Sequence, residues 1–73
     1  SRLDKLDRAV EHYAAAQTAD RTDHRFPLYL AQVQLKLGRA EEAKANLLLA
    51  ANLMTDSAVA WGTLADLAVR ENK

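Results

Sequence analysis

The chain has 73 residues, with ten basic and ten acidic side chains and no cysteine. This length limits it to one domain, and the balanced charge gives no electrostatic reason to bind nucleic acid or an anionic membrane. The absence of cysteine excludes disulfides and thiolate metal sites and favours a reducing, cytoplasmic compartment. No apolar run approaches the ~20 residues of a membrane span. Because residue 1 is Ser rather than Met, we expect residues 1–73 to be a single domain from a longer protein.

The first two predicted helices precede Gly38. The first runs from about Arg2 to about Ala19, because apolar side chains recur there every three or four residues. The second begins one or two residues before Pro27, which is tolerated in a first turn, and it ends at Leu37. Thr22 or Asp23 is the expected N-terminal cap, and Gly38 is the expected helix stop.

The third and fourth predicted helices follow. The third runs to about Met54, and Leu48 and Leu49 fall outside its apolar stripe. The fourth runs from about Ala58 to about Arg70, with Asp56 or Ser57 as its cap. It is apolar nearly all round and contains Trp61, which we expect to pack in the core. Gly62 costs ~1 kcal/mol relative to Ala in a helix, so we expect a packing or access reason for it.

An internal repeat relates the two halves of the chain. Shifting the sequence by 34 residues superimposes similar residues, namely Leu3 on Leu37, Asp7 on Glu41, Ala9 on Ala43, Ala16 on Ala50, Leu30 on Leu64, Ala31 on Ala65 and Lys36 on Arg70. A period of 34 with two helices per unit is that of the tetratricopeptide repeat (TPR). One complete unit, about 26–54, is then flanked by two half units.

The chain resembles the TPR family over nearly all its length. The matching positions are the aromatic, leucine and small residues of the first repeat helix (Trp61, Leu64, Ala65), the alanine and large apolar positions of the second (Ala43, Leu47, Ala50 and Ala9, Tyr13, Ala16) and the turn Leu37-Gly38-Arg39. Departures are Pro27, Ala31 and Thr55. The resemblance implies an all-α, TPR-like α-solenoid of about four antiparallel helices; the alternative fold is a four-helix bundle.

The resemblance also implies a groove lined by the first helices of successive repeats. It assigns partner binding to Arg25, Leu28, Tyr29, Gln32, Lys36, Asp66 and Arg70, with Leu35, Val59, Gly62 and Thr63 beside them. Leu28 and Gln32 replace the lysine and asparagine of TPRs that bind acidic carboxyl-terminal tails. We therefore expect a non-catalytic interaction module or scaffold that binds an extended or helical peptide through apolar anchors.

The alternative function is structural. The fourth helix lacks a covering helix, so the chain could form a homodimer or other homo-oligomer through Val59, Ala60 and Leu67, about a two-fold axis. Enzymatic activity is not expected, because His12 and His24 lie on different segments without ligand or triad spacing, and no phosphate-binding glycine loop occurs. We predict no metal and no cofactor.

Overall fold

A computed structural model describes residues 2–71 as α-helices joined by short turns. The helices are α1 (Arg2–Ala19), α2 (Arg25–Lys36), α3 (Ala40–Leu53) and α4 (Ala58–Glu71). Residues 2–71 contain no β-strand. The all-α prediction and the order of four helices are confirmed, and the predicted helix ends agree with the observed ones to within about two residues.

Gly38 ends α2 in the left-handed conformation that the sequence predicts. Its φ is +78°, which a side chain would disfavour. The Gly38 N–H donates to the Leu35 carbonyl at 3.1 Å, and the Arg39 N–H donates to the Gln34 carbonyl at 2.9 Å. These two bonds form a Schellman motif, which satisfies carbonyls at the end of the helix and reverses the chain toward α3.

Polar side chains begin α2 and α4. Asp23 accepts a hydrogen bond from the Arg25 N–H at 3.0 Å, and Ser57 Oγ accepts one from the Ala60 N–H at 3.2 Å. Each bond satisfies an N–H that lacks a partner within its own helix. Of the alternatives raised by the sequence, Ser57 therefore caps α4. Asp23 satisfies the Arg25 N–H from one residue before the N-cap position of α2, where His24 makes no side-chain capping bond.

The helices pack as a row, each on its neighbour in sequence. The extensive contacts join α1 to α2, α2 to α3 and α3 to α4, and α1 and α4 share no extensive contact. A four-helix bundle would bring the first and last helices together, so the alternative fold is not the one observed. The Cα atoms occupy a flat volume of 31 × 29 × 15 Å.

The core lies around α3 and is made mainly of small side chains. Its members are Leu28 and Ala31 of α2, Ala43, Leu47, Ala50 and Ala51 of α3, and Ala60 and Leu67 of α4. Alanine at the contact positions allows helices to approach closely, which compensates for the small area that each side chain buries.

The 34-residue period of the sequence is also a period of the helices. α1 ends at Ala19 and α3 ends 34 residues later at Leu53. α2 spans 25–36, and shifting α4 back by 34 places it on 24–37. Thus α1 corresponds to α3 and α2 corresponds to α4.

Candidate protein-binding surface

One stripe of long side chains on α2 remains exposed although α1 and α3 pack on this helix. Arg25, Tyr29, Gln32 and Lys36 follow steps of three and four residues, and all four are exposed. This spacing places them on one side of the helix. We call these four residues the α2 stripe. All four belong to the set that the TPR resemblance assigned to partner binding.

The two cations of the α2 stripe differ in their partners. Arg25 Nη2 lies 2.6 Å from Asp23 Oδ2. The Arg25 side chain and its backbone N–H both hydrogen-bond Asp23, and this lowers the pKa of that carboxyl group to about 2. Lys36 forms no ion pair within residues 2–71. Lys36 is therefore the cation of the stripe whose charge is open to a ligand.

Tyr29 is anchored at its ring. The residue is 40% exposed, and its ring centroid lies 5.5 Å from that of Tyr13 on α1. A tilted aromatic pair of this kind holds both rings in place. An apolar group of a partner would therefore meet a pre-ordered aromatic surface, which lowers the entropy cost of binding.

The two predicted binding residues on α4 form a pair with each other. Asp66 and Arg70 are both exposed, and Arg70 Nη2 lies 3.5 Å from Asp66 Oδ2, one helical turn away. An exposed pair of this kind contributes little to stability. Its two charges largely cancel, so α4 adds little net charge to the predicted groove. No ion pair joins these residues to the α2 stripe in the described part of the chain.

Three residues assigned to binding or self-association are not at the surface. Leu28, predicted to bind a partner, is 9% exposed and packs in the core with α3 residues. Ala60 and Leu67, predicted for self-association, are 0% and 7% exposed because they form the contact of α4 with α3. Their apolar character serves the fold, and we remove all three from the candidate surface.

Trp61 lies at the surface, contrary to the expectation that it packs in the core. It is 46% exposed, and its Nε1–H donates to the Thr55 carbonyl at 2.8 Å. The indole thus covers the turn between α3 and α4 and satisfies a carbonyl there. The indole N–H needs a hydrogen-bond acceptor, and the Thr55 carbonyl provides one. This explains why the Trp61 ring lies at this end of α4.

Of the two reasons expected for Gly62, packing or access, packing within the described residues is wrong, and access stays a prediction. A Cβ built at Gly62 would meet no atom within 4 Å. Val59 and Val69 are 52% and 73% exposed on the same helix. α4 therefore leaves an apolar, uncovered surface in the described part of the chain. The sequence predicted an apolar contact surface on α4 at Val59, Ala60 and Leu67, and of these only Val59 is exposed.

Sequence reasoning missed two features that involve α3. A shallow cleft of about 360 Å³ lies between the end of α1 and α3, lined by Gln17, Thr18, Arg21 and Leu49. The second is a partly buried polar contact between α2 and α3. Asn46 Nδ2 donates to Gln34 Oε1 at 2.9 Å, and Gln34 Nε2 lies 3.4 Å from Glu42 Oε2. The sequence signal for this contact was a glutamine within the apolar arc of α2.

The described residues contain no cluster suited to a metal ion. Residues 2–71 hold no group of three or more His, Asp or Glu side chains placed to share one. His12 instead contacts the edge of the Tyr13 ring at 5.6 Å between centroids. Within the same residues, no helix is both long and apolar enough to span a membrane.

Comparisons with known proteins do not indicate a function for the chain. No protein-family model, no curated protein and no solved structure matches the chain. The surface chemistry of α2 and α4 is therefore the basis for the proposals that follow.

Proposed function

We propose that the chain is a non-catalytic protein-interaction module of TPR type that binds a peptide or partner protein across the α2 stripe. The observation that carries this proposal is the stripe itself. Tyr29 supplies an ordered aromatic surface, Gln32 supplies an amide, and Lys36 supplies an open positive charge. Together these groups suit a peptide with an apolar side chain and a carboxylate one or two helical turns apart.

The repeat arrangement supports a TPR-type assignment. The helices follow the 34-residue period, they pack as a row, and a Schellman turn at Gly38 joins the complete helix pair. In such a row, alternate helices face the same side, so α2 and α4 would contribute to one binding surface. Since Leu28 is buried, the proposed surface consists of Arg25, Tyr29, Gln32 and Lys36, with Asp66 and Arg70 at its border.

Selection of peptides provides the test. Random peptides displayed on phage would be selected on the folded chain, and the best binders would be titrated while amide chemical shifts are recorded. We expect the largest shift changes at Tyr29, Gln32 and Lys36. Lys36→Glu should weaken binding of an acidic peptide about tenfold, since it converts an attraction into a repulsion.

The controls separate local charge from net charge. Lys5→Glu makes the same change at an exposed lysine on α1 and should leave the affinity within twofold. Arg25→Glu together with Lys36→Glu should weaken binding further, although the first change also removes the partner of Asp23. Unchanged affinity in Lys36→Glu, or shift changes confined to α1 and α3, would rule out the α2 stripe as the binding surface.

A second proposed function is self-association through α4. The exposed apolar residues Val59 and Val69 favour it, together with the open space around Gly62 on the same helix. Ala60 and Leu67 cannot take part, since α3 covers them. The internal repeat indicates which helix could cover this surface.

A further inference from the structure

The uncovered surface of α4 corresponds to a covered surface of α2. Shifting by 34 residues places Gly62, Ala65, Ala68 and Val69 on Leu28, Ala31, Gln34 and Leu35. Among the α2 residues, Leu28 and Ala31 belong to the core with α3, Gln34 hydrogen-bonds Asn46 of α3, and Leu35 packs against the core. All four residues of α4 are exposed. We call these four residues the α4 outer face.

Helix α1 also has a side that no other helix covers within residues 2–71. It corresponds to α3, which buries four side chains, yet α1 buries none. On α3, Glu42 and Asn46 contact Gln34 of α2. The corresponding residues of α1 are Arg8 and His12, and both are exposed. α1 therefore lacks the helix that α2 provides for α3.

These two open faces are the two halves of an interface that the chain already builds between α2 and α3. We propose that the α4 outer face binds α1 of a second copy of this chain, so that copies associate head to tail. This inference rests on the second proposed function, self-association through α4, and it names the occupant and the geometry. Continuity with the α2–α3 interface supplies the argument.

The α4 outer face is made of smaller side chains than the corresponding face of α2. Gly62 stands where α2 has Leu28, and Ala68 stands where α2 has Gln34. The α4 outer face therefore leaves more room for a facing helix than α2 leaves for α3. Ala68 replaces the buried Gln34, so no amide on α4 would be left without a partner when the face is covered.

The geometry has a consequence for stoichiometry. A contact between two different faces is heterologous, so each added copy leaves one new face open. The average mass should then rise with concentration beyond that of a dimer. A two-fold contact of α4 with α4, as the sequence alone predicted, would stop at the dimer. Because a single pair of helices forms the contact, the association should be weak.

Two variants and their mixture test the proposal. Ala65→Arg should block the α4 outer face, and His12→Glu should block the exposed side of α1 that carries Arg8 and His12. Both substituted positions are exposed, so circular dichroism should show unchanged helix content. In sedimentation velocity over a wide concentration range, each variant alone should remain a monomer. Their equimolar mixture should form a one-to-one heterodimer and grow no further, because one open face of each variant is intact. Ala45→Arg, an exposed alanine of α3, should associate like the unmodified chain.

Three results would overturn the proposal, and they separate it from the function on which it rests. A monomeric unmodified chain at every concentration would reject both. Association of His12→Glu alone, with Ala65→Arg monomeric, would keep self-association through α4 but replace head-to-tail contact with a two-fold one. Failure of the mixture to associate would reject the pairing of α1 with α4. If either variant loses helix content, Ala68→Arg and Arg8→Glu test the same two faces.

Discussion

Two glycines of this chain have opposite roles although each lies next to or within a helix. Gly38 adopts a φ of +78°, where a side chain is strained, and Gly62 lies inside α4 with open space around the position of a Cβ. For Gly38 the backbone conformation requires glycine. For Gly62 nothing within residues 2–71 does, so within a single copy of the chain its glycine weakens the helix.

The same substitution should therefore have opposite effects at the two positions. Gly62→Ala should stabilise the chain by about 0.5–1 kcal/mol, because alanine loses less backbone entropy in a helix. Gly38→Ala should destabilise it by about 1–2 kcal/mol, because of steric strain in the left-handed conformation. Thermal unfolding followed by circular dichroism measures both. A lower melting temperature for Gly62→Ala than for the unmodified chain would contradict the open space around residue 62.

At the scale of helices, α2 and α3 are joined by more than apolar contact. Gln34 is 5% exposed, yet no polar side-chain atom that is fully buried in the described residues lacks a partner. Asn46 donates to it, and Glu42 lies within hydrogen-bonding distance. A satisfied, partly buried polar contact favours one alignment of two helices, since sliding by one turn would separate the Gln34 amide from its partners.

A double-mutant cycle measures this contact. Gln34→Met keeps the volume but removes the amide, and Asn46→Ala removes its partner. Each change should destabilise the chain, and the coupling between them should be about 0.5–1.5 kcal/mol. Urea unfolding of the four proteins gives the value. Additive effects would mean that Gln34 satisfies its hydrogen bonds with solvent.

The contact between α3 and α4 relies on charge as well as on packing. Lys44 Nζ lies 2.9 Å from Glu71 of α4 and 3.1 Å from Glu41 of its own helix. The Lys44 ammonium donates hydrogen bonds to the carboxylates of Glu71 and Glu41, and this raises the pKa of Lys44. The ion pair between Lys44 and Glu71 also links the last turn of α4 to α3, the helix against which Ala60 and Leu67 of α4 are buried.

At the scale of the whole molecule, the core is small relative to the apolar surface that stays exposed. Besides Pro27, nine apolar side chains are buried and five of them are alanines, whereas nine large apolar side chains are exposed within residues 2–71. Domains of this size have a small free energy of unfolding. The molecule therefore depends on the few large side chains that it does bury, and it gains from any partner that covers the rest.

Leu47 and its neighbour Leu48 provide a matched test of this balance. Leu47 is fully buried at the centre of the core, and Leu48 is 50% exposed on the same helix. Leu47→Ala should cost about 2–5 kcal/mol, which would unfold most of a domain this small at 25 °C. Leu48→Ala should change the free energy of unfolding by less than about 1 kcal/mol. Equal effects in urea unfolding would contradict the assignment of the core to this face of α3.

The sequence alone determined the helices, because its signals for them are local. Apolar spacing, a proline in a first turn, a glycine after a last turn and capping side chains all act within a few residues. The 34-residue period indicated which helices correspond. The TPR resemblance, rather than helix spacing, placed Arg25, Tyr29, Gln32 and Lys36 on a binding surface, and the structure shows all four exposed on one side of α2.

Only the tertiary structure decided which apolar residues are covered. Leu28, Ala60 and Leu67 were assigned to contact surfaces, yet they are buried, while Trp61 was assigned to the core and lies over the turn at Thr55. α4 is apolar nearly all round, so its sequence could not indicate which side meets α3. That choice depends on the small side chains of the neighbouring helix, which are distant in sequence and come together only when the row of helices forms.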